Sequence, residues 1–94
     1  MVLEIAEFTA GAGHEEQFAE AYRAASAVIL ASPGCLSARM VRGVERPGVF
    51  TLLVEWETLE AHMTGFRGSE GFRRWRELLE PHFESVVMHH SRDL

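Results

Sequence analysis

The segment Val54–Leu79, VEWETLEAHMTGFRGSEGFRRWRELL, carries two apolar faces at helical spacing. Leu59, His62, Met63 and Phe66 fall at i, i+3, i+4 and i+7, and so do Phe72, Trp75, Arg76 and Leu79, so each set shares one side of a helix. Thr58 and Ser69 stand where N-caps are expected, and Gly65 and Gly68 divide the two short helices. One polar residue interrupts each face, His62 the first and Arg76 the second. A buried imidazole or guanidinium is costly unless it is hydrogen-bonded or solvated, so an apolar face with such a residue at its margin tends to border a cavity rather than solid core. The pattern predicts a small pocket in which His62 and Arg76 converge near the end of the preceding strand.

Working outward, Val49–Trp56 reads as that strand, and Glu45, Arg46, Pro47 and Gly48 form a turn joining it to a strand over Cys35–Val44. Upstream, Val2–Phe8 is β-rich and is broken by Gly11–Gly13. An acidic first turn, Glu15 and Glu16, then opens a helix that runs to about Ala31 and is ended by Pro33-Gly34. After Pro81 a last strand covers about Phe83–Ser91. This βαββαβ order predicts an α+β fold, a ferredoxin-like sandwich with an antiparallel sheet and helices on one face, as one domain over residues 1–94. Phe50, Leu52, Val54 and Trp56 point to the helices, whereas Val49 and Leu53 point away, where helices of the same chain cannot reach. The expected cover is a second copy of the chain, two sheets packed face to face in a homodimer.

Charge and composition remove several functions. The net charge is -5, every one of the nine cations is Arg, and the absence of Lys excludes Schiff-base chemistry. The dense basic stretch Arg73, Arg74 and Arg76 is interleaved with Glu70, Glu77 and Glu80, so nucleic-acid binding is not expected. With no Asn and only Asp93 as aspartate, oxygen-rich cation cages have little to draw on. The longest apolar run, around Ala24–Ala31, is far shorter than the roughly 20 residues of a membrane span, so no membrane association is expected. Met1 leads directly into a strand bearing Glu4 and Glu7, and Cys35 has no partner, which together point to the cytoplasm. His89 and His90 are adjacent on a strand and face opposite ways, so they cannot share one metal. Cys35 lacks a CxxC partner and reads as a small hydrophobe.

Strand one followed by AGAGHEEQFAEAY, the PGC opening strand two, and above all VEWETLEAHMTGFRGSEGFRRW resemble the antibiotic biosynthesis monooxygenase family over nearly the whole chain. The resemblance implies a dimeric α+β barrel with a cavity between sheet and helices in each unit. It also implies a chemistry found in some members, the oxidation of hydroquinones or anthrones by molecular oxygen with no metal, flavin or haem. In that branch the pocket draws on a Trp closing strand three, an Asn four residues earlier, a Tyr six residues later and an Arg on the later helix. Trp56 and Arg76 match, Leu52 stands at the Asn position and His62 at the Tyr position. The haem-degrading branch matches less well, since its Asn, aromatic and His positions hold about Ala6, Phe66 and Arg76.

Oxygenating a dihydroxyarene needs a base, a cation to hold the anion and a dry aromatic slot. His62 is the expected base and Arg76 the anion clamp, with Trp56, Leu52, Phe66, Phe72 and Trp75 as substrate-binding residues. The expectation is a cofactor-independent monooxygenase of a small aromatic. The alternative is a non-catalytic dimeric module that binds a small apolar molecule, and the Leu at the Asn position points that way.

Overall fold

The computed structural model describes all of residues 1–94. Strands β1 (Val2–Ala10), β2 (Cys35–Arg42), β3 (Val49–Trp56) and β4 (Phe83–Ser91) form one sheet in the order β2-β3-β1-β4, with every pair antiparallel. Helices α1 (Glu15–Leu30) and α2 (Glu70–Leu79) lie on one face, with a π-helical segment over Ala61–Phe66 and a 3₁₀ turn over Glu80–His82. This is the ferredoxin-like α+β arrangement, and strand boundaries differ from the sequence reading where β1 extends to Ala10 and where β2 stops at Arg42, two residues short of Val44.

Side-chain alternation sorts the sheet into two faces. Val2, Glu4, Ala6, Phe8 and Ala10 of β1 and Phe50, Leu52, Val54 and Trp56 of β3 are buried beneath the helices. Phe18, Ala25 and Ile29 come down from α1, and Trp75 and Leu79 from α2, to close one core. On the opposite face Leu3, Ile5, Val49 and Leu53 are half-covered, and Val41 and Val87 are exposed.

Two local features set the geometry around residue 62. Gly34 ends the α1–β2 turn at φ +86°, and a Cβ there would lie 2.6 Å from the Ala61 Cβ, so only glycine lets the π-helical segment pass this closely. Its carbonyl also accepts the Glu57 N–H at 2.8 Å, tying the end of β3 to this turn. Thr58 caps the segment by accepting the Ala61 N–H at 3.1 Å, and Ser69 caps α2 by accepting the Phe72 N–H at 3.2 Å.

The π-helical winding corrects the first of the two faces read from the sequence. The Arg67 N–H reaches the His62 carbonyl at 3.0 Å, an i→i+5 bond that puts an additional residue into the turn. His62 and Phe66 stay inside, while Leu59 and Met63 turn out to solvent.

Candidate active site

A cavity of about 370 Å³ lies between α2 and the β1–β4 half of the sheet. Its floor is Ala6, Phe8, Leu52 and Met88, its helical side Phe72, Trp75 and Leu79, and its polar groups are Glu4, His62, Arg67, Arg76 and Glu80. His62, Arg76, Leu52, Phe72 and Trp75 therefore all line one cavity. Trp56 and Phe66 do not line it. Trp56 is fully buried behind Glu4 and His62, and Phe66 packs behind Phe72 and Trp75 at ring-centroid distances of 5.5 and 6.1 Å. Both fill core volume because the inward positions of β3 and of the π-helical turn bring them beneath the wall.

Sixteen residues are buried, and the only polar ones among them, Glu4 and His62, touch each other. The sheet register brings this about, since Glu4 of β1 stands opposite Val54 of β3 and His90 of β4. Trp56 Nε1 donates to Glu4 Oε1 at 2.9 Å, and His62 Nε2 lies 3.3 Å from the same oxygen. On its other side His62 Nδ1 is 2.8 Å from His90 Nε2. The Trp56 and His62 rings stack at 5.0 Å with an interplanar angle of 14°, which fixes the imidazole plane. Every fully buried side-chain polar atom has a partner. Glu4 Oε2 makes no hydrogen bond, so it is the carboxylate oxygen left open toward the cavity.

Desolvation governs the titration of this cluster. It is the largest influence on His62, whose pKa falls from 6.5 to about 4, assisted by His90 and by Arg67. Burial likewise pushes the Glu4 carboxyl up, against the Trp56 hydrogen bond and the Arg67 charge. The Glu4–His62 distance is that of an ion pair, but the loss of water on both groups outweighs their attraction, and His62 is neutral at neutral pH. His90 is held below the usual histidine range, chiefly by desolvation and then by His89 and Arg67.

The mouth is different. Arg76 is 56% exposed and donates to Glu80 at 2.5 Å, with its guanidinium 5.8 Å from the Phe72 ring centre. Arg67 stacks over the same ring at 5.4 Å and contacts no carboxylate. Neither Glu4, Arg67 nor His90 was singled out as a functional residue in the sequence. Glu4 had a signal, because it shares the inward phase of Val2, Ala6 and Phe8. Arg67 had none, because only the π-helical turn carries it to the cavity.

No group of three or more His, Cys, Asp or Glu side chains is disposed to hold a metal, and no helix is long and apolar enough to cross a membrane. His89 faces away from His90, which joins His62 instead.

The family model for antibiotic biosynthesis monooxygenases matches residues 1–78. The chain belongs to this family. An uncharacterized Bacillus subtilis (strain 168) protein, YczJ, is 39% identical over 79 residues, which cover 84% of this chain and 83% of that protein. A Bordetella bronchiseptica crystal structure, provisionally described as an antibiotic biosynthesis monooxygenase, superposes with a TM-score of 0.94 at 33% identity, covering 99% of this chain and 96% of that one. PA3566 from Pseudomonas aeruginosa superposes with a TM-score of 0.83 at 25% identity, covering 99% of this chain and 93% of that one. Family membership at this level describes a monooxygenase-like or small-molecule-binding module; the reaction has to be argued from the site.

Proposed function

We propose that this chain is a cofactor-independent monooxygenase that oxidises a small hydroquinone or anthrone-like aromatic with molecular oxygen. The observation that carries the reading is a buried carboxylate, Glu4, anchored by the Trp56 N–H and set 3.3 Å from His62, with one oxygen open to a largely apolar cavity. An activated arene reacts with oxygen once it is deprotonated. Glu4, with its pKa raised by burial, is matched to taking a hydroxyl proton near neutral pH better than an unperturbed carboxylate is. The base is therefore Glu4, because a pKa near 4 and an Nδ1 engaged with His90 unfit His62 for the direct role.

The deprotonated ring passes an electron to oxygen, the two radicals join as a carbon-bound peroxide, and the peroxide takes up a proton. Loss of water across the C–O–O–H unit and its neighbouring C–H bond leaves a carbonyl. One oxygen atom enters the ring, the other departs in water, and the substrate supplies all four electrons. Arg67 and Arg76 at the mouth offset the anionic charge, and Phe72 and Trp75 provide aromatic surface that excludes water. Oxygen uptake with a panel of hydroquinones and anthrones, without added cofactor, tests the reading, and uptake with at least one of them is expected.

A second reading, a non-catalytic module binding a small apolar molecule, is favoured by Leu52, which makes the cavity floor apolar where an amide would orient a substrate. It would give tryptophan quenching by aromatic ligands with no oxygen consumption.

In either reading the working unit is a homodimer joined through the sheet face bearing Leu3, Ile5, Val49 and Leu53. Leu53→Arg puts an unpaired charge at that face, and the expected result is dissociation to monomers by light scattering.

A further inference from the structure

We infer that Glu4, His62 and His90 form a proton relay that connects the buried cavity to a second opening of the protein. The inference rests on the oxygenase reading of the same site. His62 stands between the other two, with Nε2 3.3 Å from Glu4 Oε1 and Nδ1 2.8 Å from His90 Nε2. His90 is half-buried and does not line the cavity. It lines a separate surface hollow of about 130 Å³ with Val2, Leu59, Ser91 and Arg92, and the two openings share no lining residue.

A substrate that fills the cavity cuts Glu4 off from water on that side, and the His62–His90 route is then its path to solvent. An imidazole suits this duty because it accepts a proton at one nitrogen while releasing one from the other. Trp56 serves a different purpose. Its N–H anchors Glu4, and its stacked ring keeps the imidazole edge-on to both partners.

The proton balance closes over a turnover. The substrate hydroxyl gives its proton to Glu4 Oε2, and a half-turn of the carboxyl brings the O–H to His62 and leaves Trp56 an equivalent oxygen. Glu4 then donates to His62 Nε2, His62 Nδ1–H to His90 Nε2, and His90 Nδ1–H to water. When the peroxide anion takes up its proton, the same steps run backwards and both imidazoles regain their first tautomer. Charged groups around the path favour passage over storage. Arg67 acts on all three members and His89 on His90, so a proton resting on either imidazole is disfavoured.

The test compares wild type with His90→Gln, which keeps a hydrogen-bonding partner for His62 but cannot relay a proton, and with His90→Phe. On a substrate found by oxygen uptake, each variant is expected to lower kcat by about tenfold or more with KM unchanged, and added imidazole to restore part of the rate in a third variant, His90→Gly, which leaves the space that Phe fills. A variant as fast as wild type would overturn the relay. Exchange of the His62 ring N–H with D₂O, followed by NMR of ¹⁵N-histidine-labelled protein with the cavity filled by 1,4-dimethoxybenzene, which has no hydroxyl to oxidise, reads the relay without turnover. Slower exchange in His90→Gln and His90→Phe is expected, and unchanged exchange would overturn it. If wild type consumes no oxygen with any substrate, the oxygenase reading falls, and the exchange measurement alone decides the relay.

Discussion

Two acid–base pairs lie at opposite ends of one cavity. At the mouth, Arg76 and Glu80 meet at 2.5 Å while remaining 56% and 48% exposed. At the inner wall, His62 and Glu4 are farther apart, at 3.3 Å, and almost wholly buried. The shorter contact matters less. An exposed i,i+4 pair is screened and loses side-chain entropy, leaving about 0–1 kcal/mol, whereas removing one partner of a buried polar pair leaves the other without water or a partner at a cost of about 1–3 kcal/mol, and more where that group is charged. Burial also explains the displaced proton affinities of the inner groups, Glu4 and His62.

That contrast is open to breaking, starting where the effect is largest. Glu4→Gln should lower turnover by about 10²–10⁴-fold, the range for loss of a general base. The amide keeps an acceptor for Trp56, so the melting temperature should move little, and steady-state oxygen uptake beside calorimetry checks both. Trp56→Ala should cost about 3–5 kcal/mol in urea unfolding, the range for removing a large buried aromatic. Arg76→Met, at the other end, should change stability by no more than about 1 kcal/mol, in either direction. A loss at Arg76 as large as that at Trp56 would erase the distinction between the two ends.

A pH titration sharpens the same comparison. His62 in the unfolded chain takes a proton near its usual value of about 6.5, but in the folded protein it does so only at about 4. The unfolded state therefore binds more protons through this window, and stability should fall as pH drops from about 6.5 to about 4. Glu4, with its pKa raised, works in the opposite sense, adding stability at low pH that is lost as pH rises through its folded value. Replacing His62 with Gln should flatten the fall between about 6.5 and about 4 in equilibrium unfolding, while replacing Arg76 should leave it in place.

Much of the fold was legible because period-2 and period-3.6 patterns report burial directly, and the strand phases of Val49–Trp56 and the caps at Thr58 and Ser69 needed nothing beyond local chemistry. The site was legible only in part. His62 and Arg76 stood out as polar residues on apolar helix faces, and both line the cavity. Glu4 carried only the inward phase it shares with Val2, Ala6 and Phe8, and its partners emerge once the register sets it against His90. The π-helical turn was invisible to helical spacing. By shifting the phase after Ala61 it exposes Met63 and delivers Arg67 to the cavity wall, an outcome that depends on Gly34 giving it room.

The most direct measurement is oxygen consumption by metal-free, cofactor-free protein across hydroquinones and anthrones, run in parallel for wild type and Glu4→Gln. Uptake by wild type with at least one substrate, reduced by about 10²-fold or more in the variant while the fold is kept, is the predicted result. Equal uptake by both proteins, or tight aromatic binding with no uptake by wild type, would contradict the account.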